Sequence, residues 1–307
     1  MSCAFVELDP DPNFYRDVDL SISSSSPLSP PSDLDPDFTE SFPFESNLFL
    51  MSTKYEFSYR LYVARSEDLI VYRARDKETG VAVAIKIQRG LDSEGSTREI
   101  CLLGAAQTHP NVVKFYGYFE FPLNNCFAIV MEYVPRCAID EIPLDEYTHQ
   151  LLSALAHLHA RGIIHRDVKP ANFIWNAEQE RGVLIDFDIS TFQNKEEGHR
   201  TSVGTDGFTA PEVLDVVDEK TKGYDEKVDC YSAGVTFGSL LFGVSHAALI
   251  FHEKHLHFLF AKLREGDDVD AWDLLLKLIE KDPEKRISCA DALEHPYFGH
   301  TKLASTT

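Results

Sequence analysis

The segment His165-Arg166-Asp167-Val168-Lys169-Pro170-Ala171-Asn172 places three polar residues at a spacing that suits one kind of chemistry. Asp167 could orient an attacking hydroxyl group and accept its proton, and Lys169 could neutralise a group that carries negative charge. Asn172 offers an amide oxygen to a hard divalent cation. The segment follows a helix-like run at residues 147–160 and precedes two strand-like runs. This order predicts a loop held between rigid elements, where catalytic groups usually lie.

Three further motifs accompany this loop in a fixed order. They are Val83-Ala84-Ile85-Lys86 before it, and Asp186-Phe187-Asp188 and Ala210-Pro211-Glu212 after it. With the loop, they resemble the V-A-I-K, H-R-D-x-x-x-x-N, D-F-G and A-P-E motifs of the eukaryotic protein kinase family. Four ordered motifs at compatible separations argue against a chance polar loop, because several independent signals agree. The resemblance covers residues 55–298.

The resemblance implies an α+β, bilobal fold with an active cleft between a β-rich N-lobe and an α-helical C-lobe. We expect a kinase domain at residues 53–300, divided into an N-lobe at about 53–134 and a C-lobe at about 135–300. A disordered acidic tail would precede it at 1–52, and a short tail would follow at 301–307. The residue pattern agrees, since strand-like runs at 54–87, 112–119 and 126–134 surround one helical run. Helical runs then follow at 144–160, 228–241, 246–264, 270–280 and 289–293.

Composition and charge limit the classes of partner. The 307 residues suffice for one catalytic domain of about 250 residues and an extension. A net charge of −21 argues against binding to nucleic acid or to anionic membranes. No apolar run reaches the length of a membrane span, so no membrane partner is expected. The six cysteines are scattered without a C-x-x-C pair, which favours a reduced cytoplasmic and/or nuclear setting.

Residues 1–52 differ in composition from the rest of the chain. The first 50 residues contain ten Asp or Glu and one basic residue, Arg16, which gives a local charge of −9. Such a Ser-, Pro- and Asp-rich segment buries too little apolar surface to offset its chain entropy, so we expect disorder. Residues 37–45 interleave acids with aromatic side chains. This pattern suits a docking peptide for an activating or docking partner, and a solvated tail is the alternative.

The kinase resemblance implies a nucleotide site for ATP. Lys86 would hold the α- and β-phosphates, and Glu99 would be its ion-pair partner, because a buried lysine needs one. Val71, Ala84 and Ile174 would enclose the adenine ring, although each is equally explicable as ordinary core. Glu132 and Val134 would belong to the hinge that connects the two lobes.

The resemblance also assigns the chemistry. Asp167 would act as base or hydroxyl-orienting group, and Asn172 and Asp186 would hold two Mg²⁺ ions. Lys169 at this position is typical of serine/threonine kinases, and Thr205 resembles the threonine beside their substrate site. The implied reaction moves the γ-phosphoryl group of ATP to Ser or Thr of a protein substrate.

Other matched residues imply support and regulation. Glu212 with Arg286 would tie the activation segment, residues 186–212, to late helices. Asp229 would brace the catalytic loop, residues 165–172. Arg166, beside the catalytic aspartate, implies control by a phosphate on the activation segment. We expect the phosphate at Thr201 or Ser202, and we include Thr205 as a further regulatory position.

Two departures from the kinase pattern leave an alternative open. The glycine positions of the nucleotide-covering loop become Ala64, Ser66 and Leu69, and the acids Glu67 and Asp68 lie at its tip. Glycine lets backbone amides approach phosphates, and acids there would repel them. Asp188 replaces the third residue of D-F-G.

The alternative is a pseudokinase that serves as a scaffold with weak or no ATP turnover. An active enzyme is favoured, because the charged groups that stabilise the transition state are intact. Those groups are Lys86, Glu99, Asp167, Asn172 and Asp186. The subgroup stays open between the cell-division-cycle replication kinase and cyclin-dependent-type kinases.

Overall fold

A computed structural model describes the chain in nine ranges. The ranges are residues 5–6, 51–64, 68–89, 93–121, 125–137, 142–194, 196–215, 223–243 and 269–299. Most of the predicted N-terminal tail, the predicted helix at 246–264 and the predicted C-terminal tail lie outside them. The chain divides into two compact units, with the main division between Val134 and Pro135. Residues 108–112 belong to the second unit.

The first unit contains a six-stranded sheet within the described residues, with strand order β1-β5-β6-β4-β3-β2. All pairings are antiparallel. The strands are β1 (Phe5–Val6), β2 (Tyr55–Val63), β3 (Leu69–Asp76), β4 (Ala82–Arg89), β5 (Phe115–Phe121) and β6 (Cys126–Glu132). Strand β1 lies within the segment predicted as a disordered tail, and there Phe5 pairs with Phe119. Met51 is fully buried in the core of this unit.

Alternation along β3 and β4 gives the sheet two faces. Ile70, Tyr72 and Ala74 are buried in the core cluster, whereas Val71 between them is only half-buried. Successive side chains of a strand point to opposite faces, so Val71 lies on the face away from this cluster. The predicted turn after β3 is present, and Asp76 accepts hydrogen bonds there from the backbone amides of Glu78 (3.0 Å) and Thr79 (2.9 Å).

One helix accompanies the sheet in the first unit. Helix α1 spans Ser93–Ala106, three residues longer at its start than the sequence predicts. Its later turns bury Ile100, Leu103 and Ala106, the three apolar residues that the sequence placed on one face. Glu99 is also buried, which is costly for a carboxylate without a partner.

The second unit is mainly helical. Its helices are α2 (Leu144–Ala160), α3 (Pro211–Leu214), α4 (Lys227–Phe242), α5 (Val269–Leu278) and α6 (Cys289–Ala292), followed by a 3₁₀ helix at Pro296–Phe298. Four short strands form two antiparallel pairs, β7 (Ile163–Ile164) with β10 (Thr191–Phe192), and β8 (Phe173–Asn176) with β9 (Arg181–Leu184). The loop at 165–172 therefore lies between β7 and β8.

Helix α4 is the centre of this unit. Its residues from Val228 to Gly238 are all buried, which is expected of a helix that is apolar on all sides. The helix ends at Gly243, whose φ of +59° closes the last turn at little cost. Among the described helices, none is both long and apolar enough to span a bilayer. The predicted α+β fold, a β-rich unit followed by a helical unit, is confirmed.

Gly234 sets the distance between α4 and α5. A Cβ atom at this position would lie 2.6 Å from Leu278 Cβ and 2.8 Å from Ile279 Cγ2. We expect Gly234→Ala to lower the free energy of unfolding by about 1–3 kcal/mol through overpacking, although alanine favours helices. Urea unfolding measures this, with Leu276→Ala as a control at a side chain that is 41% exposed. An unchanged or higher stability of the Gly234 variant would contradict the packing.

His109 gives the fold a pH dependence. Its Nδ1 accepts the backbone N–H of Asn111 and its Nε2 lies 3.2 Å from Ser153 Oγ, so the neutral ring fits the site. Burial, with the neighbouring His157 and Arg161, lowers the pKa of His109 to about 4.

A histidine whose pKa is depressed on folding contributes stability above the unfolded value of about 6.5, and this is lost as pH falls towards 4. We therefore expect His109→Gln to reduce the loss of unfolding free energy between pH 7.5 and 5. Urea titrations of both proteins at the two pH values measure the difference. Parallel losses in the two proteins would refute the assignment.

Candidate active site

A buried ion pair lies in the first unit where the sequence predicts the phosphate-binding lysine. Lys86 Nζ donates to both carboxylate oxygens of Glu99, at 2.9 and 3.0 Å. The exposed fractions are 5% for Lys86 and 2% for Glu99. Removing one partner of such a pair leaves an uncompensated buried charge, which typically costs about 3–5 kcal/mol. The pair therefore holds the ammonium group in one position on β4.

The predicted adenine-contacting residues of the first unit lie beside this lysine. Val71 on β3 pairs with Lys86 in register, and Ala84 precedes Lys86 by two residues on β4. Residues directly opposite, and residues two apart on one strand, share a face of the sheet. Val71 and Ala84 thus form a half-buried apolar surface on the same face as the ammonium group.

The predicted hinge residues follow β6. Glu132 is the last residue of β6, and its backbone N–H donates to the carbonyl oxygen of Lys114 at 2.8 Å. Val134 is 7% exposed and ends the first unit. Between them, the Tyr133 hydroxyl lies 3.4 Å from the Tyr59 hydroxyl, and the Arg73 guanidinium lies over the Tyr133 ring.

The turn that replaces the glycine-rich loop is partly described. Ala64 donates its N–H to the carbonyl oxygen of Leu69 at 2.9 Å, which closes β2 onto β3. Asp68 is exposed. Ser66 and Glu67 lie outside the described residues.

In the second unit, three side chains converge on the Asp167 carboxylate. Lys169 Nζ and Asn172 Nδ2 both donate to Oδ2 at 2.8 Å, and the Thr205 hydroxyl donates to Oδ1 at 2.6 Å. Lys169 Nζ also donates to the Thr205 hydroxyl oxygen at 2.7 Å. Each carboxylate oxygen is held, so the group has one orientation. The structure thus brings together Asp167, Lys169, Asn172 and Thr205.

Asp229 of α4 binds the backbone of the loop at 165–172. Its two carboxylate oxygens accept the N–H groups of His165 and Arg166, each at 2.8 Å. His159 Nε2 lies 3.0 Å from the same carboxylate. Burial alone would raise the pKa of Asp229, but the hydrogen bond and charge of His159 lower it below its usual value. Asp229 is therefore a fully buried anion that anchors two amides of the loop.

Asp186 follows β9 and is held next to the loop by backbone bonds. The N–H of Ile185 donates to the carbonyl oxygen of Asn172 at 2.9 Å, and His165 Nε2 lies 3.0 Å from the Ile185 carbonyl oxygen. Asp186 itself has a φ of +66°, which is uncommon for a residue with a side chain and is frequent at functional sites. Phe187 is fully buried against the His165 ring, which agrees with a packing role for both.

These residues fit a divalent cation. Asp186 is half-buried, and one of its carboxylate oxygens lies within 4.8 Å of one from Asp188. Two close carboxylates repel each other, and carboxylate and amide oxygens are the ligands that Mg²⁺ prefers. Asn172, whose backbone carbonyl accepts a hydrogen bond from Ile185, would supply the amide.

Ile174, predicted to contact adenine, is 8% exposed and lies on β8 opposite Val183.

The activation segment, which we define as residues 186–212, is anchored at its end. Glu212 forms two parallel hydrogen bonds with Arg286, at 2.5 and 3.0 Å. Arg286 is 1% exposed, and its guanidinium lies 5.0 Å from the ring centroid of Tyr231. Bidentate arginine–carboxylate pairs are the stronger and more specific kind of ion pair. The pairing predicted from the sequence is present.

A second group of possible metal ligands consists of His159, Cys230 and Cys289. The two thiol sulfurs lie 3.2 Å apart. Two thiolates on one tetrahedral zinc ion would be separated by about 3.8 Å, given Zn–S bonds of roughly 2.3 Å. His159 already donates to Asp229. The cysteines are therefore better explained as core packing between α4 and α6.

Two residues in this region were not singled out by sequence reasoning. His159, in the last turn of α2, contacts Asp229 across 70 positions of sequence, and Tyr224 contacts Arg166 across 58. The only signal for His159 was a histidine at the end of the helix that precedes the loop. No pattern in the sequence indicated Tyr224.

Comparison with known families decides the identity. A family model described as protein kinase domain matches residues 69–298. The chain belongs to the eukaryotic protein kinase family. The match contains Lys86, the catalytic loop, the activation segment and Arg286.

Three named relatives are 29–32% identical to this kinase over the aligned residues. A probable myosin light chain kinase of Dictyostelium discoideum is 32% identical over 255 residues, covering 76% of this chain and 79% of that protein. Calcium-dependent protein kinase 29 of Arabidopsis thaliana is 29% identical over 271 residues, covering 79% of this chain. Calcium-dependent protein kinase 8 of the same plant is 31% identical over 270 residues. The kinase spans about half the length of these two plant proteins, 48% and 49%.

The prediction of the eukaryotic protein kinase family is confirmed. The relatives named above are kinases of the myosin light chain and calcium-dependent types. The subgroup of this kinase stays open. The individual site residues remain predictions in their functional roles.

The Thr205 hydroxyl should position the Asp167 carboxylate. Thr205→Val keeps the shape of the side chain but removes the bonds to Asp167 and Lys169, so we expect the turnover number to fall roughly ten- to a hundred-fold. Thr205→Ser keeps the hydroxyl and should recover most of the activity. Steady-state phosphorylation of a peptide measures both. Equal losses in the two variants would assign Thr205 to packing alone.

Proposed function

We propose that this kinase is catalytically active and transfers the γ-phosphoryl group of ATP to Ser or Thr of protein substrates. The observation that carries this proposal is the Asp167 carboxylate, held on both oxygens by Lys169, Asn172 and Thr205. A general base must be oriented before it can align a hydroxyl group. A binding module would have no need for three donors on one partly exposed carboxylate.

Three residues of the second unit would have separate roles in phosphoryl transfer. Asp167 orients the substrate hydroxyl and accepts its proton, since it is the one carboxylate among the four side chains that meet there. Lys169 supplies positive charge beside it, which favours a transferring phosphoryl group. A lysine at this position supports serine/threonine rather than tyrosine substrates by resemblance to that class. Thr205 keeps both in place.

Binding of ATP is proposed for the residues that the family uses for it. Lys86, fixed by Glu99, would hold the α- and β-phosphates, and Val71 and Ala84 offer an apolar surface on the same face. Asn172 and Asp186 would hold divalent cations, with Mg²⁺ as the proposed metal. Bound cations would neutralise negative charge on the phosphates.

The nucleotide-covering turn favours a second candidate, a pseudokinase used as a scaffold. Ala64 and Leu69 replace glycines and bond to each other, and Asp68 adds negative charge where phosphates would approach. These changes weaken nucleotide binding, whereas loss of a charged catalytic group costs several kcal/mol of transition-state stabilisation. Because the charged groups are present, the active enzyme remains the first proposal, with weak affinity for ATP.

Partners and location are proposed from the sequence. Protein substrates follow from the family, and the acidic segment at 1–52 is the proposed docking site for an activating partner. Residues 37–45, with their alternating acids and aromatics, are the part of it that would bind. The proposed location is cytoplasmic and/or nuclear. Nothing in the comparisons points to nucleic acid or membranes.

Labelling with ATP tests the enzyme proposal. Wild type with Mg²⁺ and a generic Ser/Thr substrate should transfer phosphate, and Lys86→Met and Asp186→Asn should each reduce the rate at least about a hundred-fold. Lys285→Met is the matched control, because its ammonium is exposed and pairs only with Asp282 among its salt bridges in the described residues. Its rate should match wild type.

The scaffold candidate predicts another result. Wild type would show no transfer above the level of Asp167→Ala, while still binding its partner through residues 1–52. Transfer that depends on Asp167 would exclude it.

A further inference from the structure

Besides the Glu212–Arg286 pair at its end, the activation segment of this kinase is attached at several places along its described length. Strand β10 pairs with β7, His199 exchanges two backbone hydrogen bonds with Tyr224 (2.8 and 2.9 Å), and Thr205 bonds to Asp167. Each attachment uses backbone groups or unmodified side chains. None of these attachments requires a phosphate.

Arg166 is the residue that would bind such a phosphate, and its guanidinium is already engaged. Nε donates to the carbonyl oxygen of Ile189 at 2.5 Å, and Nη1 donates to the Tyr224 hydroxyl at 3.1 Å. Arg166 is 8% exposed and has a φ of +67°, so its backbone is fixed in an uncommon conformation. A buried guanidinium requires acceptors, and here a carbonyl group and a phenol supply them.

The phenol of Tyr224 uses both of its hydrogen-bonding capacities. It accepts from Arg166 and donates to the carbonyl oxygen of Thr201 at 2.7 Å. Tyr224 is 3% exposed, and burial raises its pKa although the Arg166 guanidinium acts in the opposite direction. The hydroxyl therefore keeps its proton and its donor role near neutral pH. It joins the catalytic loop to the activation segment through one atom.

Two glycines allow Tyr224 to reach this position. A Cβ atom at Gly198, where φ is +67°, would lie 2.5 Å from the carbonyl carbon of Gly223. A Cβ atom at Gly223 would meet the backbone of Gly198 at the same distance. The backbones of the activation segment and of the residues before α4 thus approach as closely as only glycine permits.

The side chains of the predicted phosphorylation sites do not contact Arg166 among the hydrogen bonds of the described residues. Thr201 contributes its backbone carbonyl to Tyr224, and the side chains of Thr201 and Ser202 are exposed. A phosphate on either side chain would be exposed to solvent, where ion pairs contribute little to stability. The buried contacts of Arg166 do not depend on it.

We propose that Tyr224 is a positioning residue that takes the place of an activation-segment phosphate as the counterpart of Arg166. The unphosphorylated kinase then holds the segment from His199 to Thr205 in its working arrangement. Phosphorylation at Thr201 or Ser202 is not required for transfer. The statement about activity rests on the proposed function, whereas the statement about order in the segment does not.

The test compares three variants with wild type, all expressed with a phosphatase and checked by mass spectrometry for the absence of phosphate. Tyr224→Phe removes only the hydroxyl and keeps the backbone bonds to His199. Thr201→Ala/Ser202→Ala removes the predicted sites. Tyr297→Phe is the matched control, since it removes the hydroxyl of another buried tyrosine, whose ring packs on Phe237 and Phe298.

Two measurements are made on each protein, hydrogen exchange of the peptide covering residues 196–215 and steady-state transfer. We expect Tyr224→Phe to exchange about ten-fold faster there and to lose about ten-fold in kcat with little change in KM for ATP. The Thr201/Ser202 double variant should stay within about two-fold of wild type in both. Tyr297→Phe should leave both unchanged.

Three results would overturn the proposal. Unphosphorylated wild type that gains ten-fold or more in kcat on phosphorylation of Thr201 or Ser202 would show that the phosphate is the working counterpart of Arg166. Tyr224→Phe with wild-type exchange and kcat would remove the role of the phenol, and equal effects in Tyr297→Phe would make the role merely structural. If no protein transfers phosphate, the proposed function fails, while hydrogen exchange still decides whether the hydroxyl orders the segment.

Discussion

A carboxylate with no access to water, Asp229, is the constraint on which the catalytic loop depends. A buried anion is stable only when its oxygens are fully bonded, and here the donors are His159 and the amides of His165 and Arg166. Helix α4 is buried along most of its length and offers this carboxylate from a packed position. Arg166, whose amide bonds to it, has a positive φ.

Two lines of hydrogen bonds lead outward from this anchor to the activation segment. One passes from Asp167 to Thr205, and the other passes from Arg166 through Tyr224 to Thr201. Each ends on a different part of the segment, so the two together define its path more strictly than either alone. The bond between Arg166 and Tyr224 is buried, where hydrogen bonds are stronger.

The departures from the kinase pattern concern nucleotide binding rather than the positioning of the loop and the activation segment. In the proposed function, the altered turn between β2 and β3 would affect how tightly a nucleotide is held, whereas Lys86, Glu99 and the loop at 165–172 would stabilise charge during the reaction. Asp188 would affect both nucleotide binding and the charge of the reaction, since it adds a carboxylate close to Asp186. A kinase that binds ATP weakly and still transfers phosphate is consistent with both sets of observations.

The sequence by itself indicated the family, most of the longer strands and helices, and the residues that carry charge, because motif spacing and hydrophobic periodicity are local properties of a chain. It also indicated Glu99 as the partner of Lys86, through the helix that follows the strand. Only the tertiary structure showed His159 on Asp229, Tyr224 on Arg166 and the strand at Phe5–Val6. These contacts join residues 58 or more positions apart, and a hydrogen bond between such distant side chains leaves no periodic trace in the sequence.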